Sequence, residues 1–262
     1  MTKKEAVVAA GILLLFGGIT AVATASHSWG TYHWGRTANP FTLKLGDNVS
    51  SKWDATLGTT ATDWSLSDAL DTVVATGNTD PRRCKGTNGR VEVCSAKYGF
   101  NGWLGIAQIW ITGDHITKGV TKVNDSYFDT PTYNTPAWRN LVMCQEVGHT
   151  LGLDHQDEDF YNTPLGTCMD YSADPTPNQH PNQHDYDMLA QIYAHLDSVN
   201  TVSLLSAASR ALLGNGQSSD LDLNHPSAWG KIVRKDAHGR SSLHERDLGR
   251  GEKVFTFVIW VR

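Results

Sequence analysis

Three features of the sequence predict an α+β fold. Residues 41–45 alternate between apolar and polar side chains, which is typical of a half-buried strand. Two apolar runs, 104–111 and 118–124, flank a short turn and predict a further pair of strands. Thr135-Pro136 then opens a helix, because threonine is a favourable N-cap and proline fits the first helical position.

The composition of the 262-residue chain indicates a globular protein with a substantial core. Hydrophobic residues make up 40% of the sequence and charged residues 19%, which excludes a disordered chain. Lysine and arginine number 22 against 27 acidic residues, so the net charge is −5. This balance argues against nucleic-acid binding through bulk positive charge. Beyond the N-terminus, no run is apolar enough to cross a membrane.

The N-terminus has the pattern of a secretory signal. Lys3 and Lys4 precede an apolar run over residues 6–22, and Ala23 and Ala25 then form an A-x-A cleavage site. An uncleaved membrane anchor is the alternative, but small residues dilute the apolar run. We therefore expect cleavage after Ala25, a secreted, extracellular protein, and no stable membrane association once the signal is removed.

The remaining elements of the main domain follow from local patterns. A helix is predicted over about residues 50–62, and a short apolar run at 69–75 predicts a buried strand. The helix that begins after Thr135 should end at Gly152, because glycine is favoured where a helix terminates. A last helix fits residues 185–197, in which apolar side chains repeat at helical spacing.

The character of the sequence changes after about residue 198. Residues 214–228 are rich in Gly, Ser, Asn and Asp. Three strand-like runs follow, at 229–235, 241–246 and 253–261. We therefore expect a signal over 1–25, a main domain over 26–200, and a linker with a small β-rich unit over 201–262 that packs on the main domain.

Four cysteines in an exported chain predict disulfides, since bridges persist in an oxidising compartment. Cys84 and Cys94 bracket a turn-rich stretch, which favours a local bridge that closes a hairpin. Cys144 and Cys168 would then form the second bridge. A zinc site of four thiolates is the alternative, but the sequence contains no C-x-x-C pair.

Residues 145–155 carry the strongest chemical signal. Gln145 and His149 are four residues apart on the predicted helix, so they project from the same face, and Glu146 lies one step round. Gly152 allows a left-handed turn that brings His155 back toward that face. Neutral ligands, an open position and a carboxylate base are what a hydrolytic zinc site requires.

This segment resembles the zinc motif of the metzincin metallopeptidases, the clan that includes the matrixins and astacins. It matches H-E-x-x-H-x-x-G-x-x-H at every fixed position except the first. Met169 lies in a Cys-Met-Asp-Tyr segment similar to the Met-turn of that clan, which implies that Met169 lies beneath the metal. Tyr171 has the spacing of a tyrosine that stabilises the tetrahedral intermediate in some branches.

The resemblance implies a mixed, twisted sheet with an active-site helix and a C-terminal helix. It also implies a Zn2+ ion bound by Gln145, His149 and His155, with Glu146 as general base and Tyr171 as a second catalytic residue. The expected function is that of a secreted endopeptidase, monomeric, acting on proteins or peptides and not on nucleic acid. A catalytically inactive secreted binding protein on the same scaffold is the alternative.

The departure from the motif is Gln145, where these enzymes have histidine. Its amide oxygen has a reach comparable to that of a histidine Nε2 and is also neutral, but it is a poorer partner for zinc. Three interpretations stay open. Gln145 binds the metal weakly in a working enzyme, a water bridges it to the metal, or the site has lost both metal and activity.

Neighbouring polar residues receive less specific interpretations. Asp154 is the second choice as third ligand, since it is one position off the motif spacing. Asp157 is expected to orient a ligand histidine or to cap the loop. His33 is interpreted as a packed surface histidine, and the sequence assigns no role to His115 or His195.

Overall fold

The protein is described by a computed structural model over residues 26–202 and 222–262. The expected signal over 1–25 and most of the expected linker, 203–221, lie outside the described residues. Within them, the strands are β1 (His33–Trp34), β2 (Phe41–Asn48), β3 (Leu70–Thr76), β4 (Val91–Ala96), β5 (Trp103–Thr112), β6 (His115–Asn124), β7 (Lys231–Lys235), β8 (Ser241–Gly249) and β9 (Glu252–Trp260). The helices are α1 (Asp54–Trp64), α2 (Asp125–Phe128), α3 (Pro136–Thr150) and α4 (Gln183–Ile192).

These strands form one mixed sheet. Its order is β3-β2-β4-β6-β5-β9-β8-β7, and the short β1 pairs with β6. Strands β2, β3, β4 and β6 are parallel to their neighbours in that part of the sheet, whereas β5 is antiparallel to β6 and begins the antiparallel half. The predicted α+β class with a mixed sheet is confirmed.

The C-terminal strands extend this sheet instead of forming a separate small unit. β9 pairs with β5 over the whole length of both strands, from Trp103 opposite Trp260 to Thr112 opposite Glu252. β9 pairs with β5 because β5 is almost entirely buried and its backbone groups would otherwise form an unpaired edge of the sheet. Trp103 and Ile106 also share an apolar cluster with Trp229 and Val258.

Two predicted elements differ from the structure, a strand in its burial and a helix in its length. The strand expected at 69–75 is present, but Val73 and Val74 are exposed because β3 lies at the edge of the sheet. The helix expected over 185–197 ends at Ile192. Beyond it the backbone bonds to the N-terminal segment, since the Asp197 N–H donates to the carbonyl of Arg36.

Buried tryptophans fix α3 in place. Trp64 in α1 donates its indole N–H to the carbonyl of Cys144, and Trp34 in β1 donates to the carbonyl of Thr150. Both indoles are completely buried, so these hydrogen bonds are shielded from water. The last turns of α3 are therefore held on both sides by the core.

Both predicted disulfides are present. Cys84 is bonded to Cys94, and Cys144 is bonded to Cys168, which excludes a zinc site of four thiolates. The second bridge joins α3 to the segment that contains Met169. No helix among residues 26–202 and 222–262 has the length and apolar character needed to cross a bilayer.

Candidate metal centre

The last two turns of α3 carry the predicted site residues. Thr135 caps the helix as predicted, accepting a hydrogen bond from the Trp138 backbone N–H at 3.2 Å. Gln145, Glu146 and His149 follow, and all three are completely buried. Because α3 is anchored at its cap and by its disulfide, their positions are set by regular helix geometry.

Gly152 turns the chain after the helix. Its φ is +100°, which L-residues with a side chain rarely adopt, and a Cβ there would lie 2.8 Å from the carbonyl oxygen of Tyr32. Asp154 then donates its backbone N–H to the carbonyl of His27. This reversal returns His155 to the face of α3 that carries His149, as the motif predicts.

His149 and His155 present their Nε2 atoms to each other at 2.9 Å. The Nδ1 of His149 lies 2.9 Å from the Leu153 carbonyl, and the Nδ1 of His155 lies 2.6 Å from Glu158 Oε1. Both partners are acceptors, so each Nδ1 is the protonated nitrogen and each Nε2 carries a lone pair. Two facing lone pairs repel unless a further proton or a metal ion lies between them.

Gln145 adds an oxygen on the same helix face. Its Nε2 donates to the carbonyl of Cys168 at 2.9 Å, so this hydrogen bond does not engage the Oε1 atom. That Oε1 is buried and has no hydrogen-bond partner, which costs about 1–3 kcal/mol for a polar atom without a ligand. Two imidazole nitrogens and an unpaired amide oxygen fit a divalent metal such as zinc.

Glu146 lies beside this set, between α3 and the sheet. Its carboxylate contacts Gly105 in β5, where a Cβ would come within 2.8 Å of Glu146 Oε1. Burial raises the pKa of Glu146 well above its usual value. The backbone amides of Ala107 and Ile259 oppose this shift, although neither carboxylate oxygen makes a full hydrogen bond.

Met169 and Tyr171 both lie at the site. The Sδ of Met169 packs against Gly148, where a Cβ would lie only 2.5 Å from the sulfur. The Tyr171 ring lies 4.5 Å from the His155 ring, and its hydroxyl donates to the Val258 carbonyl at 2.8 Å. Burial raises the pKa of Tyr171 well above its usual value, so this hydroxyl keeps its proton.

Strand β9 covers the site. The ring of Phe257 stacks on His149 at 4.2 Å with an interplanar angle of 12°, and Val258 and Ile259 lie over Tyr171 and Glu146. The sequence pattern gave no indication of this cover, because β9 is more than 100 residues away from α3. His149 is completely buried beneath this strand, and His155 is 8% exposed.

An arginine of the C-terminal strands also engages the loop after α3. Arg234 in β7 pairs with both oxygens of Asp154 at 2.5 Å, and its Nε lies 2.9 Å from Glu158 Oε1. Ser242 in β8 donates to the second oxygen of Glu158. Because Asp154 is bound by Arg234, it is not available as the third ligand that the sequence offered as second choice.

The residue that orients His155 is Glu158, which the sequence analysis did not single out. Asp157 fills the other role expected of it and caps the loop, accepting a hydrogen bond from the Asp159 backbone N–H at 2.6 Å. The i, i+3 spacing from His155 to Glu158 was the signal that could have identified the partner. His33, His115 and His195 lie together around Asp197, and His33, interpreted from the sequence as a packed surface histidine, is buried.

Comparisons with known proteins give weak structural likenesses. No protein-family model matches the sequence, and no curated protein is similar to it in sequence. The fold resembles that of high choriolytic enzyme 1, a hatching-enzyme zinc protease from Oryzias latipes, at 11% identity and a TM-score of 0.35 over 65% of this chain and 99% of that one. It also resembles myroilysin, at 12% identity and a TM-score of 0.34 over 64% and 82% of the two chains. Likenesses of this size decide nothing about activity.

Proposed function

We propose that this chain is a secreted, metzincin-like zinc endopeptidase whose C-terminal strands cover the active site. The observation that carries the proposal is the pair of Nε2 lone pairs on His149 and His155, which face each other at 2.9 Å. The unpaired oxygen of Gln145 supplies a third ligand from the same helix face. Glu146 lies next to this set on α3.

The side chains around the metal have distinct roles in this proposal. Gln145, His149 and His155 would hold a zinc ion, which would supply a Lewis acid for activating water and polarising the scissile carbonyl. Glu146 takes the proton of the attacking water and delivers it to the leaving amine. Tyr171 donates a hydrogen bond to the carbonyl oxygen as negative charge develops there.

The position of β9 supports the proposal that a substrate would bind where β9 now lies, next to β5. The Tyr171 hydroxyl already donates to a peptide carbonyl, that of Val258, and the Tyr171 ring lies 4.5 Å from the His155 ring. A substrate that replaced β9 would pair with β5 by strand addition and present its carbonyls to the same hydroxyl. In this conformation the enzyme is latent, and movement of the C-terminal strands admits the substrate.

The complete cover of the site also favours the second candidate, a non-catalytic binding protein. On that account β9 is a permanent part of the core, and the surface of the C-terminal strands binds a partner. The two functions differ in one respect that can be measured. Only the peptidase turns over substrate once β9 is loosened.

Cleavage of an unfolded protein tests the proposed function. We expect the purified chain to produce fragments slowly, at the rate at which the C-terminal strands open, and a variant with β9 loosened to produce them faster. Cleavage should stop when a zinc chelator is added and resume when zinc is restored, because the metal is part of the reacting centre. Fragments from an internally quenched peptide would give the rate. Zinc binding without any cleavage, also in a variant with β9 loosened, would favour the binding protein.

A further inference from the structure

A cluster of three histidines and one aspartate lies away from the site described above. His33 belongs to β1, His115 begins β6, and His195 and Asp197 follow α4. The Nε2 atoms of His33 and His115 each lie 3.2 Å from Asp197 Oδ1. The Nε2 of His195 lies 3.1 Å from that of His33 and 3.5 Å from the same oxygen.

We propose that His33, His115, His195 and Asp197 form a second, structural zinc site. Zinc binds imidazole nitrogen and carboxylate oxygen at about 2.0–2.2 Å, so the ligand atoms of a tetrahedral site lie roughly 3.3–3.5 Å apart. Four of the six distances between these ligand atoms run from 3.1 to 3.5 Å. The ligand atoms of His33, His115 and Asp197 lie within 4.8 Å of one another and supply three ligands of this site. The Nε2 of His195 lies beside those of His33 and Asp197 and supplies the fourth when its exposed ring turns toward His115.

The orientation of the rings agrees with metal binding. The Nδ1 of His33 lies 2.7 Å from the Thr31 carbonyl and donates its proton there, so the inward Nε2 carries a lone pair. The Nε2 of His195 faces that same nitrogen at 3.1 Å. A zinc ion between these two nitrogens would bind both. A histidine whose outer nitrogen donates to a carbonyl is the usual arrangement of a zinc ligand.

The carboxylate of Asp197 is also oriented to bind a metal through one oxygen. Asp197 Oδ2 accepts hydrogen bonds from the Nη1 of Arg36 at 2.7 Å and from its backbone N–H at 3.2 Å. Arg36 donates a further hydrogen bond to the carbonyl of His195, and its side chain is buried. Oδ1 is left to face the three histidines, as a monodentate ligand would.

The composition of the site indicates its function. Four protein ligands close the tetrahedron and leave no position for a substrate, which is typical of structural zinc. The ion would join the N-terminal strand, the β5–β6 turn and the segment after α4, three parts of the chain that are distant in sequence. His195 has a side chain that is 54% exposed, which gives the ion a path of entry.

The test titrates zinc into the full chain with the first site removed by the double change His149→Ala and His155→Ala. We expect this variant to bind one equivalent of zinc at the second site. Cobalt bound there in place of zinc should give the absorption bands of tetrahedral coordination. Adding His195→Ala should lower that affinity at least tenfold and abolish the rise in melting temperature that zinc produces. His195 is exposed, so this change leaves folding intact, which circular dichroism checks.

The matched control is His180→Ala, which removes a side chain of the same 54% exposure that pairs with Asp63 instead. It should leave the zinc affinity unchanged. His195→Cys, which restores a zinc ligand, should recover affinity. No zinc bound by the chain that lacks the first site, or equal affinity with and without His195, would overturn the proposal. The result does not depend on peptidase activity.

Discussion

Replacing Glu146 by glutamine should lower peptide hydrolysis by about 10²–10⁴-fold, the usual contribution of a general base. Glutamine has the same shape and fits the same space against Gly105. It cannot accept a proton from water, however, whereas the ligand atoms of His149 and His155 are untouched. We therefore expect initial rates on a quenched peptide to fall while the zinc affinity stays within a few-fold of the wild type.

Glu158→Gln is the matched control for this change. Its carboxylate holds the Nδ1 of His155 at 2.6 Å, so it acts on the ligand and not on the water. Loss of such a partner typically costs 10–100-fold in metal affinity. We expect excess zinc to restore the activity of this variant but not that of Glu146→Gln. Hydrolysis at the wild-type rate by Glu146→Gln would exclude Glu146 as the base.

Replacing Phe257 by alanine should raise peptide hydrolysis at least about tenfold. Its ring covers His149, and the truncation of a buried phenylalanine costs about 3–5 kcal/mol. A change of only 1.4 kcal/mol in the balance between covered and open states shifts that equilibrium tenfold. The variant should also release zinc to a chelator faster, because the metal is no longer shielded by the ring.

Phe255→Ala provides the comparison on the same strand. Phe255 is also buried, but its ring packs against Trp29 and Tyr32, whereas it is the ring of Phe257 that stacks on His149. It should cost similar stability without uncovering the histidines, so zinc release should stay slow. If neither variant gains activity and neither releases zinc faster, β9 does not limit access to the site.

The fold and the candidate site were predictable wherever the signal was local. The cap at Thr135 depends on contacts within a few residues, and the glycine at 152 marks the left-handed turn in the sequence itself, although that turn also packs against the Tyr32 carbonyl. The same holds for the Cys84–Cys94 bridge across its turn-rich loop. Short-range spacing fixes helix faces and turns, which explains why the motif could be located from sequence alone.

The remaining features arise from contacts between distant parts of the chain. The pairing of β9 with β5 joins segments about 150 residues apart, and periodicity cannot say which strand covers which edge. His195 and Asp197 fell inside a predicted helix that in fact ends at Ile192, so their shared direction toward His33 was hidden. The His-x-Asp spacing was the only local hint of that cluster.

The most direct test of the central claim is the zinc content of the chain in which His195→Ala has weakened the second site, measured at a zinc concentration at which that weakened site stays empty. We expect one zinc ion per chain, coordinated by two imidazoles and an oxygen in its X-ray absorption spectrum, and none after His149→Ala is added. A chain that holds no zinc in the His195→Ala background, or that keeps its zinc without His149, would contradict the account.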